Sequence, residues 1–336
     1  MNKKLKKLFS KGSKFLGVDY PIMGGAMTWI SDANLVSAMS NSGGFGVIAA
    51  GSMNDIQLQQ EINNTKLKTN KPFGVNLILL HPEIENLIEV CIKTKVKLVV
   101  FAGGFPKRRQ IEKLKNRGIQ TMCFATTNSI AKKMLDYGIE GLILEGNEAG
   151  GHIGPVSINV LVQEILPDFS HIPVFVAGGI GRGEIFLKYL ELGAVGCQIG
   201  TRLVCSEESI AHKNFKDMFI KSEARNCQVS VRLDQRFPVI PVRAIENKAS
   251  KDFIKEQKKV IVMLEKNKIS LKDAQLKIEH FWAGSLRKAV IDGDIENGSL
   301  MAGQSVSLVK KIQPVKEIIK EIVSQAEKQL ILQETN

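Results

Sequence analysis

Eight short apolar runs recur between residues 20 and 204, and stretches with helical spacing separate them. The runs fall at 21–23, 46–49, 73–77, 98–101, 120–124, 141–144, 174–177 and 196–199. Helical patterns lie between them, for example at 34–41, 86–94, 129–137 and 184–192. Eight strands interleaved with helices predict a parallel β/α architecture. The strand number favours a closed barrel over an open doubly wound sheet.

The residues just beyond each run point the same way. Glycine-rich or polar residues stand at almost every C-terminal strand end: Gly24-Gly25, Ala50-Gly51, Asn76, Gly103-Gly104, the segment 145–154, Gly178-Gly179 and Gly200-Thr201. In a barrel these ends converge on one face, where active sites are built. In an open sheet the reversal of strand order would divide them. The fold class expected is therefore α/β, a (β/α)₈ TIM barrel.

The rhythm stops at residue 206. As far as 269 the chain is polar, lysine-rich and mostly helical, with an extended piece near 237–242, and reads as a small cap inserted after strand eight. It returns through 270–293 to a final helix at about 305–328. The organisation expected is a barrel from 1–205 with 270–336, and a cap from 206–269.

Composition excludes several classes. At 336 residues with 44% hydrophobic and 24% charged residues, the chain has the balance of a soluble globular protein. Its net charge of +12 is spread among acids, with local clusters at 3–7, 107–109 and 255–259. These clusters read first as solvated helix faces, and second as a surface for an acidic partner or an anionic cofactor. Aromatics are only 6% and no nucleic-acid motif occurs, so no nucleic-acid partner is expected. The five cysteines show no CxxC and no paired spacing, which argues against zinc, iron–sulfur and disulfide frameworks and leaves no metal site expected. The basic segment 1–14 lacks the apolar region of a signal peptide, and no run approaches 18 apolar residues. A cytoplasmic protein without a membrane partner is expected.

Three motifs carry chemistry. Ala177-Gly178-Gly179-Ile180-Gly181 follows strand seven, and Gln198-Ile199-Gly200-Thr201-Arg202 ends strand eight. Glycines there let backbone N–H groups approach an anion, and a helix beginning near Gly183 is expected to add its dipole. Loops after strands seven and eight frequently form a phosphate site. After strand six, the segment 145–154 sets four glycines around His152, a side chain that titrates near neutral pH and suits acid or base work. Gly24-Gly25-Ala26-Met27 follows strand one, and Asn76 ends strand three. No GxGxxG follows a strand and no GxxxxGK[ST] occurs, which argues against a Rossmann domain and a P-loop.

Together these segments resemble one family, the FMN-dependent barrel group of nitronate monooxygenases (formerly 2-nitropropane dioxygenases) and the flavin-type enoyl-acyl-carrier-protein reductase II. The matching segments are YPIMGGAMTWISD, SNSGGFGVIAAG, KPFGVNLILL, EGNEAGGHIG, VAGGIGRGE, LGAVGCQIGTR, VRAIEN and GSLMAGQ, in order from Tyr20 to about Val323. GGHIG, Trp29, VRAIEN and SLMAGQ resemble the reductase branch more closely. Where that branch usually reads QGGM at the first strand, this chain reads GGAM.

The resemblance implies FMN as cofactor. Gly25, Ala26, Met27 and Asn76 would line the isoalloxazine side, and Glu145 would lie near the ring or ribityl chain. Gly178, Gly179, Gly200 and Thr201 would hold the phosphate, and His152 would face the substrate. The activity implied is NAD(P)H-dependent reduction of an enoyl thioester, as in fatty acid biosynthesis, with acyl carrier protein and a homodimer among the partners to be considered. The alternative is oxidation of alkyl nitronates with oxygen. A non-catalytic flavin- or phosphate-binding scaffold is the reading from another class, and His152 within an intact glycine loop argues against it.

Overall fold

The computed structural model describes residues 2–234 and 241–335. Nine strands precede residue 200: β1 (Ile22–Gly24), β2 (Gly46–Ala49), β3 (Phe73–Ile78), β4 (Leu98–Ala102), β5 (Gln120–Ala125), β6 (Gly141–Glu145), β7 (Gly151–His152), β8 (Val174–Ala177) and β9 (Gly196–Ile199). All but β7 form one parallel sheet in the order β1-β9-β8-β6-β5-β4-β3-β2. The free edges of β1 and β2 meet at Phe45. Gly24 N–H donates to the Phe45 carbonyl (2.8 Å), and Phe45 N–H donates to the Ile22 carbonyl (2.9 Å). The sheet is thereby closed into a (β/α)₈ barrel whose strands lie within one residue of the expected runs.

Burial on both faces explains why those runs are apolar throughout rather than alternating. Met23, Phe45, Val47, Leu98, Val100, Met122, Ile143 and Phe175 fill the barrel interior. Their neighbours on the same strands, among them Ile22, Ile48, Val75, Val99, Leu142 and Val176, pack outward against the helices.

The N-terminal end of the barrel is sealed by a helix, Lys3–Leu16, within the segment expected only to be basic. Asn2 caps it by accepting from Lys4 N–H at 2.8 Å, and Gly17 ends it at φ 75°. Its buried residues Leu5, Phe9, Gly12 and Leu16 follow helical spacing, so the lysines occupy the opposite face. Leu16 joins the interior cluster, and the Phe15 ring lies 6.3 Å from that of Phe175. A side chain at Gly12 would start 2.0 Å from the Val195 carbonyl oxygen, so only glycine allows this approach.

Beyond β9 the chain builds a second, antiparallel sheet from β10 (Cys227–Val229), β11 (Val242–Ile245) and β12 (Leu300–Met301). Strand β11 pairs with β10, with β12, and with β7 from the loop after β6. Of the extended piece expected at 237–242, Val242 opens β11, and 237–240 lie outside the described residues. Helices Lys248–Glu265 and Leu271–Val290 pack through Phe253, Val260, Ala274, Ile278 and Trp282, so the helical excursion draws on residues either side of 270. The last helix is Val315–Thr335 rather than one starting near 305. Residues Gln304–Leu308 form a single 3₁₀ turn, and Pro314 disfavours helical backbone in the residue before it. Among the described residues no helix is long and apolar enough to cross a membrane.

Gly12→Ala sets two effects against each other. Helix propensity alone would add about 1 kcal/mol, whereas a methyl group driven into the Val195 carbonyl costs about 1–3 kcal/mol by overpacking. The clash should win, and thermal or urea denaturation should show the variant less stable than the parent. A more stable variant would mean that the helix does not seal the barrel in this way.

Candidate active site

A pocket of about 500 Å³ opens at the C-terminal end of the barrel strands. Gly25, Ala26, Met27, Asn76, Glu145, His152, Gly178, Gly179, Gly200 and Thr201 all line it. The structure therefore brings every candidate residue named from the sequence to one place. A volume of this size suits a small molecule or cofactor.

Each wall has its own local cause. After β1, Gly25 N–H donates to the Ile199 carbonyl (2.8 Å), which ties the loop to β9. The Ser31 hydroxyl donates to the Gly25 carbonyl and accepts from Met27 N–H, both at 2.9 Å, and so folds the loop back on itself. The tightness of this turn places Trp29 in left-handed backbone at φ 68°, with the Arg287 guanidinium 5.9 Å from the centre of its ring.

The wall after β8 is built of two successive left-handed glycines, Gly178 (φ 94°) and Gly179 (φ 70°). Their backbone N–H groups donate no hydrogen bond to any described residue, which leaves two donors at a pocket wall. Behind them the buried Arg202 donates to the Gly181 carbonyl (3.0 Å) and pairs with Glu321 (2.8 Å), bracing the loop from outside. The Thr201 hydroxyl accepts from Gly303 N–H at 3.1 Å and keeps its own proton to donate. The helix after this loop does not contribute its N-terminus. Gly183 N–H donates to Gln325 Oε1 (2.8 Å), and a side chain there would meet the Ile322 carbonyl at 1.9 Å. The first amide of the helix Gly183–Glu191 is thus taken by the C-terminal helix, and the residues of its first turn do not line the pocket.

The segment after β6 is held, not loose. Gln304 N–H donates to the Glu148 carbonyl (3.0 Å), and Ile153 N–H to the Pro241 carbonyl (3.0 Å). Arg243, buried on β11, donates to the carbonyls of Asn147 (2.9 Å) and Cys227 (2.7 Å), and burial pushes its guanidinium pKa down. His152 is thus a member of β7, paired with Val242 and exposed at the pocket, where the sequence suggested a glycine loop. The signal missed was VRAIEN itself, whose Val242 and Arg243 pair with His152 and Gly151.

Glu145, at the end of β6, is the acid of the pocket. No described group hydrogen-bonds or ion-pairs with its carboxyl, and burial pushes it up to about 8. It is held neutral at pH 7 and can donate a hydrogen bond. The five cysteines are buried free thiols, and burial pushes Cys91 and Cys123 up to about 12, so thiolate chemistry is not available there at neutral pH. Sequence reading did not assign Leu80, Phe105, Leu286 or Met301 to the site, and all four line the pocket.

With the pocket defined, comparison with known proteins places it in a family. The nitronate monooxygenase family model matches residues 10–88 and 83–325. The chain belongs to the nitronate monooxygenase family. It is 34% identical to FabK from Thermotoga maritima, with a TM-score of 0.83, covering 96% of this chain and 97% of that one. It is 29% identical over 359 residues to a probable nitronate monooxygenase of Staphylococcus aureus, covering 93% of this chain and 96% of the relative. It is 32% identical over 222 residues to a hydroxy-methyl-oxo-octahydroindene-carboxyl-CoA dehydrogenase of Rhodococcus jostii, which is 66% of this chain and 62% of that relative. The family's chemistry is oxidoreduction, and this chain is an oxidoreductase.

Glu145 makes stability depend on pH with a definite sign. Its carboxyl has an ordinary pKa of 4.5 when exposed and about 8 in the folded protein. The folded chain holds that proton more tightly, so the contribution of Glu145 to stability falls as pH rises from about 4.5 to about 8 and is constant outside that window. At 1.36 kcal/mol per unit the ceiling is about 5 kcal/mol, and pocket water reaching the carboxylate lowers it. Urea denaturation of protein stripped of small molecules should show Glu145→Gln losing less stability than the parent between pH 5 and 8. Parallel curves would place the Glu145 carboxyl in water.

Proposed function

We propose that the pocket holds FMN and that the chain is an NAD(P)H-dependent reductase of enoyl thioesters. The observation that carries the cofactor is the pair of unpartnered N–H donors at Gly178 and Gly179, beside Gly200 and the Thr201 hydroxyl. These four would hold a terminal phosphate, which wants backbone donors and a close backbone approach. Gly25, Ala26, Met27 and Asn76 would line the ring side, and the neutral Glu145 would offer a hydrogen bond to a ring or ribityl acceptor. A bound flavin supplies two-electron redox chemistry that no side chain here can supply.

His152 has the complementary role. It stands at the mouth, exposed to whatever enters, on a strand pinned by its pairing with Val242. A positioned imidazole there would polarise a thioester carbonyl or move a proton to or from the carbon beside it. The carrier in such chemistry is an acyl thioester, and acyl carrier protein is one source of it.

Two observations favour the reductase over the monooxygenase. GGHIG, VRAIEN and SLMAGQ resemble the enoyl reductase branch, and the likeness to FabK, an enoyl-acyl-carrier-protein reductase II, extends over almost the whole chain. The alternative, oxidation of nitronates with oxygen, is favoured by the family model and by the Staphylococcus aureus relatives. In that reading His152 would deprotonate or orient the nitronate. NADH consumption that depends on an enoyl thioester supports the reductase, and oxygen consumption that depends on a nitronate supports the alternative.

The purified protein should be yellow and release FMN, not FAD, on denaturation, as mass spectrometry would show. Gly179→Asp sets a carboxylate beside the proposed phosphate and should lower FMN affinity at least about 100-fold while leaving the barrel folded. Unchanged affinity would place the phosphate elsewhere.

His152→Ala should retain the cofactor and the melting temperature while turnover falls by roughly 10²–10⁴-fold. Rapid-mixing kinetics should find the NAD(P)H half of turnover preserved and the thioester half slowed. An unslowed thioester half would assign the proton to another group or to water.

A further inference from the structure

We propose that the open rim of the pocket, around Phe105, is a subsite for an adenosine diphosphate group, the end shared by nicotinamide dinucleotides and coenzyme A thioesters. The inference rests on the reductase reading for its substrates, but the binding it describes can be measured without turnover.

The position of the rim is set by strand order. In the closed ring β4 lies four strands from β9 in either direction, and β3 lies four from β8. The loops after β3 and β4 therefore face the Gly178-Gly179 and Gly200-Thr201 walls across the mouth. The antiparallel sheet and the chain that follows β12 are fastened on the side of those walls, through β11 to β7, Gln304 to Glu148, and Gly303 to Thr201. On the far side Leu80 and Phe105 line the pocket and remain 45% and 49% exposed. A ligand seated against the phosphate walls would leave the mouth on this side.

The chemistry of the rim is that of a nucleotide site. The Lys133 ammonium lies 5.1 Å from the centre of the Phe105 ring and 5.7 Å from that of Tyr137. The Arg108 guanidinium lies 5.7 Å from the Tyr137 ring. Arg108 and Lys133 have no carboxylate within ion-pair distance among the described residues, and neither has Lys107, whereas neighbouring Arg109 is paired with Glu85. Arg108 donates to the Asp136 carbonyl (2.7 Å), and Lys133 is the cation that stands against the Phe105 ring without a carboxylate partner.

The loop that carries Phe105 adds donors of its own. Gly103 (φ 68°) and Gly104 (φ 144°) line the rim in backbone that favours glycine, and their N–H groups donate to no described residue. A base stacks on an exposed ring, and a diphosphate takes cations together with backbone N–H groups. An ADP group offers both partners on one small molecule. The basic cluster at 107–109, which the sequence left open between a solvated face and an anion surface, begins two residues beyond Phe105.

The test uses the flavin-loaded enzyme, with ADP as the probe. Titration calorimetry should detect ADP binding that weakens with salt. Phe105→Ala and Lys133→Gln, both at exposed positions, should each weaken it about 10-fold, the scale of losing one stacking or charged contact. Unchanged flavin absorbance and melting temperature would show that both variants are folded.

Kinetics then identify the source of the group. If it is the dinucleotide, the KM for NADH or NADPH rises in both variants and kcat holds. If it is coenzyme A, the KM for an enoyl-coenzyme A rises while that for the enoyl-pantetheine thioester, which lacks ADP, does not. Absence of ADP binding at millimolar concentration, equal binding by parent and variants, or an unchanged KM for NADH and NADPH together with equal KM changes for the coenzyme A and pantetheine substrates would overturn the proposal. Binding of ADP without thioester turnover would sink the reductase reading and leave the subsite standing.

Discussion

Two hydrogen bonds through Phe45 turn a parallel sheet into a ring, and the site depends on that closure. In a closed parallel barrel every strand delivers its carboxyl end to the same face. Residues as far apart in sequence as Gly25 and Thr201 then become neighbours without any local pattern linking them. Closure also removes the free edges that an open sheet would have to protect. Individual loops are left with fine positioning, as Ser31 does after β1 and Arg202 does behind Gly181.

The barrel strands were readable because burial on both faces writes an uninterrupted apolar run, and glycine or a polar residue marks where each run meets the mouth. The same logic made Gly178, Gly179, Asn76 and His152 readable as site candidates. It failed where structure is made by pairing over distance. Strands β7 and β12 are two residues long, too short for any periodicity, and exist because β11 supplies their partner. The helix Lys3–Leu16 was hidden by composition, since its lysines drew the eye from a stripe of Leu5, Phe9 and Leu16. The helix at Gly183 begins where the sequence puts it, but its direction is set by Gln325 and the C-terminal helix, 142 residues away in the chain.

The electrostatics of the pocket divide along the same diameter as its topology. One wall offers neutral donors, in the amides of Gly178 and Gly179 and the hydroxyl of Thr201. Across the mouth, the exposed Phe105 ring has the Lys133 ammonium 5.1 Å from its centre. Between them sits Glu145, whose proton is retained by burial alone. A net charge of +12 says little by itself, because most of the lysines are solvated. Arg108 and Lys133 have no carboxylate in ion-pair range among the described residues and stand beside the Tyr137 and Phe105 rings.

Arg243 carries an implication for how such proteins could be recombined. Its guanidinium reaches the carbonyl of Asn147, in the segment after β6, and the carbonyl of Cys227, on β10. The histidine at the mouth therefore belongs to the antiparallel sheet as much as to the barrel strands that precede it. A chimera that replaced β10 and β11 with foreign strands would leave β7 without its partner strand and Asn147 without its clamp. What has to move together is a discontinuous module: the segment after β6 together with the strands that hold it.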